Sequence, residues 1–293
     1  MDARPTRPED REIPSCHQLY SLLRERGFIP SKRLGQNFLI DDNIREIILE
    51  AAHITPGEEI LEIGPGNGAL TVGLLAREAQ VWAVEKDHLL CQFLRETLGD
   101  HPRLHLIEED AMKVPLENLP PRKMVANLPY NITSPLLYRI WDMDGRFIHM
   151  VFMVQKEVAQ RLTAPPGDTD YSLLTALLTS TYEVELVHRV SRHCFRPVPD
   201  VDSAIVKLQW RGPALGPLKE AYKILAEAGF QHRRKTLANS LKKAIPGKDW
   251  EELLEKAGIP PKARAQELSP EEWLALAREA NSLVQPSRFK VQR

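Results

Sequence analysis

The 293-residue sequence predicts an α/β protein: a doubly wound, mostly parallel sheet followed by a small all-helical domain. Three observations carry that expectation. Strand-like and helix-like apolar patterns alternate from about residue 59 to residue 162, as they do in a series of βαβ units. A glycine-rich turn, "GPGNG", stands where the first of these strands hands over to a helix. Beyond "RGPALGP", Arg211 to Pro217, the apolar period is helical only.

Two helices are expected ahead of the sheet. "HQLYSLLRERG" (17–27) stops at Gly27. "DDNIREIILEAAHI" (41–54) takes Asp41 or Asp42 as its N-cap and ends at Thr55-Pro56-Gly57. "EILEIG" (59–64) is a short apolar run bounded by turn residues and reads as a strand, with a helix from about Ala69 to Arg77. "AQVWAVE" (79–85) is a strand followed by the helix "DHLLCQFLRETLG". "RLHLIEED" (103–110), "KMVAN" (123–127) and "FIHMVFMVQ" (147–155) are further strands, with "SPLLYRIWD" as a helix before the last and "KEVAQRL" leading out of it. "YSLLTALLTSTY" is another helix, and "VELVHRVSR" with "SAIVKLQW" form a closing pair of strands. Four helices follow, at about 218–229, 232–244, 249–257 and 270–283. A loose tail is therefore expected over 1–16, a first domain over 17–211 and a helical second domain over 212–293.

Composition excludes several classes. The chain is 43% hydrophobic and 27% charged, as a soluble globular protein is. No apolar run approaches the roughly 18 residues of a membrane span. The opening "MDARPTRPEDREIP" has no apolar signal core, so a cytoplasmic protein with no membrane partner is expected, and a monomer. Cys16, Cys91 and Cys194 lie far apart with no CxxC pair, which argues against a disulfide framework and against a zinc site; no metal is expected. The net charge of −1 does not suggest a polyanion, but its distribution does. Residues 212–293 carry 15 Lys and Arg against 10 Asp and Glu, while the rest carry 24 against 30. That polarity suits a polyanion-facing C-terminal region, though it is also compatible with a merely soluble helical domain.

In "LEIGPGNGAL", Gly64, Gly66 and Gly68 let the backbone turn tightly and approach a ligand. The helix that follows offers free N–H groups and a positive dipole end. Read as Gly64-x-Gly66-x-x-Ala69 the loop satisfies a dinucleotide fingerprint; read as Gly64-x-Gly66-x-Gly68 it is the commoner loop of S-adenosylmethionine enzymes. A tight turn that binds nothing is the third reading. Glu85 ends the strand 79–85, where an acid can accept from both hydroxyls of a ribose, and this serves either cofactor. Asp110 ends the strand 103–110, where a carboxylate can accept from an adenine amine. Either acid could instead simply cap the next helix.

The stretch "VANLPYNIT" (125–133) places Asn127, Pro129 and Tyr130 directly after an apolar run. As a turn this is ordinary. With "NLPY" at a strand end, however, the set resembles the adenine-N6 methyltransferases, most of all the ribosomal RNA adenine dimethyltransferase family of the KsgA type. "KRLGQNFLID", "EIGPGNGALT", "VEKD", "EDAMK" and "NLPYNITSPLL" follow in the family's order. So do "MVQKEVAQRL", "FRPVPDVDSAIVKL", "FQHRRKTLANSL" and "RAQELSPEEWLALA", and the resemblance covers roughly residues 20 to 280. One departure is Tyr171-Ser172-Leu173-Leu174, where the family has Tyr-Gly-x-Leu; Ser172 is expected to cap the next helix.

The resemblance implies a Rossmann-like methyltransferase sheet that uses S-adenosyl-L-methionine. It implies that Asn37 and Leu39 contact the cofactor from above, and that Gly64 lies under its methionine part. Glu85 would hold the ribose and Asp110 the adenine, with Asn127 between the methyl and the target amine. The Asn127 side-chain oxygen and the Leu128 carbonyl would accept from the N6 hydrogens, Pro129 would stiffen that carbonyl, and Tyr130 would stack on the splayed-out base. Phe195, in "FRPVP", is expected either as the opposite wall of the base pocket or as a hydrophobic plug. Arg233, Arg234 and Lys235, at an expected helix start, would contact phosphate or form a solvated face.

The function implied is dimethylation of two adjacent adenines in the 3′-terminal hairpin loop of small-subunit ribosomal RNA, on the immature small subunit, during ribosome biogenesis. The competing readings are a large-subunit adenine methyltransferase that confers macrolide resistance, and an assembly checkpoint whose binding outweighs its catalysis. A nicotinamide dehydrogenase leaves "NLPY" unexplained.

Overall fold

The computed structural model describes residues 13–31, 34–212 and 215–281. Most of the expected N-terminal tail, residues 1–12, lies outside that range, as do residues 282 and 283 of the last expected helix. The end of the tail is not loose. Ser15 caps the first helix, α1 (Cys16–Glu25): its hydroxyl accepts from the Gln18 N–H while the Gln18 side chain accepts from the Ser15 N–H.

The elements that follow are β1 (Phe38–Leu39), α2 (Asp42–Ala51), β2 (Glu59–Ile63), α3 (Ala69–Ala76), β3 (Gln80–Glu85) and α4 (His88–Leu98). Then come β4 (Leu104–Glu108), β5 (Lys123–Asn127), α5 (Thr133–Asp142), β6 (His149–Gln155), α6 (Lys156–Thr163) and α7 (Leu173–Thr179). The last strands are β7 (Tyr182–Val190), β8 (Phe195–Arg196) and β9 (Ser203–Trp210). Asp41 is the N-cap of α2, accepting from the N–H groups of Asn43 and Ile44, and Asp87 caps α4 in the same way.

Seven strands pair in the order β4-β3-β2-β5-β6-β9-β7. The pairs from β4 to β6 are parallel, and β9 runs antiparallel to β6. Central strands read as continuous apolar runs because both their faces are covered, and β6 is buried from His149 to Val154. Helix α3, "ALTVGLLA", is apolar on every side and lies inside the core with Ile48, Ile60, Val81, Val125 and Val151. Cys16 and Cys91 are buried and free, and burial pushes both thiols up to about 12.

The strand order reverses at β2, which has β3 on one side and β5 on the other. Ligand crevices of doubly wound sheets open at such a switch point, outside the carboxyl ends of the strands. A separate two-stranded ribbon joins β1 to β8, opposing Leu39 to Phe195. Strands this short carry no readable period, and the sequence gives no sign of them.

The second compact unit contains α8 (Lys219–Phe230), α9 (Leu237–Ala244), α10 (Trp250–Lys256) and α11 (Pro270–Ala280). It begins at Trp210, close to the expected boundary at 212, but it also takes in residues 137–145 and 160–184. Tertiary contacts draw those segments across. The Tyr222 hydroxyl of α8 donates to the Ala176 carbonyl of α7 at 2.8 Å, and the Gly167 N–H donates to the Gln266 carbonyl at 2.7 Å. The Phe230 and Trp273 rings stack 6.0 Å apart in its core.

Ser172 does cap α7, in a reciprocal pair with Thr175. The helix expected over 232–244 is shorter. Residues 231–235 form a turn, Thr236 is extended at the N-cap, and α9 starts at Leu237. No helix of the described residues is long and apolar enough to cross a membrane.

Candidate active site

A cleft opens at the carboxyl ends of β2, β3 and β5, lined by loops from those strands, the turn after β4, and residues 34–39. Its floor is the glycine loop. Gly64 has φ 65° and donates its N–H to the Val84 carbonyl at 2.9 Å. A Cβ at this position would stand 3.2 Å from Pro129 Cγ, so glycine is required by conformation and by close approach together. This is where the cofactor loop touches "NLPY".

Glu85 closes β3 and is buried at 7% exposure. Its Oε1 accepts from the N–H groups of Lys86 (2.8 Å) and Asp87 (2.9 Å), and its Oε2 accepts from the Gly66 N–H at 3.1 Å. Burial, the dominant influence, holds its carboxyl above the ordinary value despite those three donors. Asp110 lies just past β4 in the following turn. Its Oδ2 accepts from the Lys86 ammonium at 2.7 Å and its Oδ1 from the Met112 N–H at 2.9 Å. These bonds, that of Lys86 first, hold the Asp110 carboxyl below the ordinary value. The two acids therefore present oxygen acceptors from adjacent strand ends.

A third carboxylate, Glu62, lies under the loop on β2 and is 1% exposed. Burial pushes it up to about 8, and the Thr71 hydroxyl donates to its Oε2 at 2.8 Å. Burial thus favours its protonated form.

Asn127 ends β5, and its Nδ2 donates to the Asn37 carbonyl at 3.2 Å. The Asn37 side chain in turn donates to the Gly35 carbonyl at 3.2 Å. Because a carbonyl can only accept, the Asn127 amide is oriented by this bond, and Oδ1 is left as its free acceptor end. The Leu128 N–H is held by the Met153 carbonyl at 3.1 Å. The Pro129 carbonyl accepts from the Ile132 N–H and the Thr133 hydroxyl, both at 3.1 Å, which closes the turn into α5. The Tyr130 hydroxyl lies 2.9 Å from Ser203 Oγ, so its ring is held at both ends.

Residues 34–39 form a strap along the cleft. Gln36 accepts from the Ser31 N–H and donates to Asp87 Oδ2, each at 2.7 Å. Leu39 lines the cleft and also belongs to the core, so its two expected roles coincide.

Every residue expected at the cofactor or the methyl acceptor lines this cleft: Asn37, Leu39, Gly64, Glu85, Asp110, Asn127, Leu128, Pro129 and Tyr130. Phe195 does not. Paired opposite Leu39, its ring has 0% exposure and packs into the core, so it is a plug rather than a pocket wall. Arg233 is exposed, and its Nη2 donates to the carbonyls of Thr169 (2.7 Å) and Tyr171 (3.0 Å), which ties one corner of the guanidinium to the fold. Arg234 and Lys235 are exposed, on the turn before α9 rather than on a helix start. Gln36, Lys86 and Ser203 enter the site without having been singled out. All three sit inside quoted motifs, "KRLGQNFLID", "VEKD" and "FRPVPDVDSAIVKL", where a close reading could have found them.

Residues 29–282 match the family model described as ribosomal RNA adenine dimethylase. The chain is 41% identical over 258 residues to ribosomal RNA small subunit methyltransferase A of Synechococcus sp. (strain JA-3-3Ab), covering 85% of this chain and 92% of that one. Among solved structures it resembles a dimethyladenosine transferase from Plasmodium falciparum, with TM-score 0.73 and 29% identity over 83% of this chain and 97% of that one. It also resembles the 23S rRNA methyltransferase ErmE, with TM-score 0.64 and 32% identity over 83% of this chain and 98% of that one.

Proposed function

The chain belongs to the ribosomal RNA adenine dimethylase family, and we propose that its cleft dimethylates the N6 amines of two adjacent adenines in the 3′-terminal hairpin loop of small-subunit ribosomal RNA. The methyl donor of this family is S-adenosylmethionine, and the residues present fit it. Two acceptor carboxylates stand at neighbouring strand ends above a bare glycine backbone. When bound, that cofactor supplies a methyl group already activated by its sulfonium.

An adenine amine is a poor nucleophile because its lone pair is delocalised into the ring. What the chain must supply is alignment, a contribution that oriented sites make without a strong base. Asn127 Oδ1 and the Leu128 carbonyl accept from the N6 hydrogens and favour a more tetrahedral nitrogen. Tyr130 stacks on the base, an interaction worth roughly 1–3 kcal/mol. As the methyl–sulfur bond breaks, the sulfonium leaves as a neutral thioether; the amine, now cationic, loses a proton to water. A second round needs a fresh cofactor, and the product's one remaining N–H then goes to one of the two acceptors. The observation that carries this reading is the Asn127–Asn37 bond, which commits the amide nitrogen and leaves the oxygen as acceptor. A base gripped this way must leave its stack, so a looped, single-stranded target is required.

The 41% identity to a small-subunit enzyme, against 32% to a large-subunit one, favours the small-subunit substrate. Asn37, Leu39, Gly64, Glu85 and Asp110 are the cofactor residues of this reading. Arg234 and Lys235 contact phosphate, and residues 212–293 belong to an RNA-facing domain. The protein acts as a cytoplasmic monomer on the immature small subunit. Tritiated methyl transfer to undermethylated small subunits and to naked large-subunit RNA, with the nucleoside identified, tests it. N6,N6-dimethyladenine in the small-subunit RNA is expected; label confined to the large-subunit RNA would overturn the assignment.

A further inference from the structure

Lys86 is bonded to both carboxylates of the cleft. Its main-chain N–H donates to Glu85 Oε1 at 2.8 Å, and its ammonium donates to Asp110 Oδ2 at 2.7 Å. Register ends at Glu108, opposite Glu85, and the Glu109 N–H still donates to the Glu85 carbonyl at 2.9 Å, so Asp110 is the first residue past the last main-chain bond to β3. The Met112 N–H holds the other oxygen of Asp110. With the ammonium removed, that carboxylate would keep a bond within its own turn and none to β3.

We propose that Lys86 is a positioning residue for the cofactor's purine, holding the Asp110 carboxylate at a set distance from Glu85 so that the cleft selects a 6-amino base. The proposal rests on the reading that Glu85 faces the ribose and Asp110 the adenine. An ionised carboxylate only accepts, and its two oxygens offer about four lone-pair directions. Lys86 and Met112 use two of them. A base carrying an N–H donor at C6 can take a third, whereas one with nothing to donate there gains no bond.

The test is the affinity of the full-length chain for S-adenosylhomocysteine and for its analogue lacking the 6-amino group, measured by titration calorimetry. Lys86→Met is expected to weaken S-adenosylhomocysteine about fivefold, the upper end for a solvent-exposed ion pair. Affinity for the des-amino analogue stays the same, and Lys86→Arg restores most of the loss. In turnover, Lys86→Met raises KM for the cofactor and leaves kcat in place. A general structural defect would weaken both ligands alike, and that result would overturn the proposal. Asp110→Ala separates the two levels. If it leaves S-adenosylhomocysteine binding unchanged, the reading of Asp110 falls, and the proposal with it. If Asp110→Ala weakens binding while Lys86→Met does nothing or tightens it, the reading stands. The ammonium is then idle or a competitor of the amine, and the proposal alone fails.

Discussion

At the scale of single residues, Asn127 shows how a side chain with two unlike ends can be aimed. One end is spent on the Asn37 carbonyl; in the proposed reaction the other accepts from the target amine. Asn127→Ala is expected to lower single-turnover methyl transfer about 100-fold, the scale of a lost transition-state hydrogen bond. S-adenosylhomocysteine binding should weaken far less. A variant that transfers methyl at the parental rate would remove Asn127 from the chemistry. Its position was legible in the sequence because a strand end followed by Pro must turn, and a turn there faces the crevice. As a partner of Tyr130, Ser203 was not legible. Its bond to Tyr130 spans 73 residues, and no local spacing encodes such a distance. Phe195 was legible as apolar but not as core or wall, since only its pairing with Leu39 decides that.

At the scale of elements, β2 carries a buried acid into the core and makes stability depend on pH. The ordinary value for Glu62 is 4.5, and in the folded protein it is pushed up to about 8. Between those values the folded form holds a proton that the unfolded chain releases. Stability therefore declines as pH rises through that window and levels off on either side of it. Glu62→Gln removes the titration while keeping an acceptor for Thr71. Its urea midpoint, relative to the parent, should climb from pH 5 to pH 8; a constant difference would contradict the assignment. Helix α7 offers a simpler check. Ser172→Ala removes the reciprocal cap and should cost about 1 kcal/mol in urea unfolding, whereas Ser172→Gly, the residue usual in the family, should cost a few tenths. Equal costs would mean that the cap is ornamental. The cap was legible because Ser before an apolar run is a start signal. The late start of α9 was not, since "FQHRRK" contains no breaker and only the extended Thr236 marks the boundary.

At the scale of the whole molecule, the parallel sheet was readable because β6 is a nearly unbroken apolar run and β2 is apolar but for its two glutamates, each buried on both faces. The compact units were less so. Residues 137–145 and 160–184 join the C-terminal helices through contacts such as Tyr222 to Ala176, and composition does not announce those. Charge is also a property of the whole. With 15 basic residues against 10 acidic over 212–293, RNA affinity should fall steeply with salt. Arg234→Ala and Lys235→Ala should each lower the slope of log K against log salt by about 1. Arg233→Ala should instead destabilise the fold, because its guanidinium is tied to Thr169 and Tyr171. Identical slopes for the parent and the Arg234 and Lys235 variants would place the RNA elsewhere. The ribbon of β1 and β8 has a consequence in time. Leu39 meets its partner at Phe195, and the Ile40 N–H meets the Cys194 carbonyl. During translation the floor loops emerge well before residue 196 can follow, and non-local pairings of this kind form late. The nascent chain thus makes the floor of its cofactor cleft long before the roof has anything to pair with. A ribosomal RNA methyltransferase thus completes its cleft only after most of its length has left a ribosome.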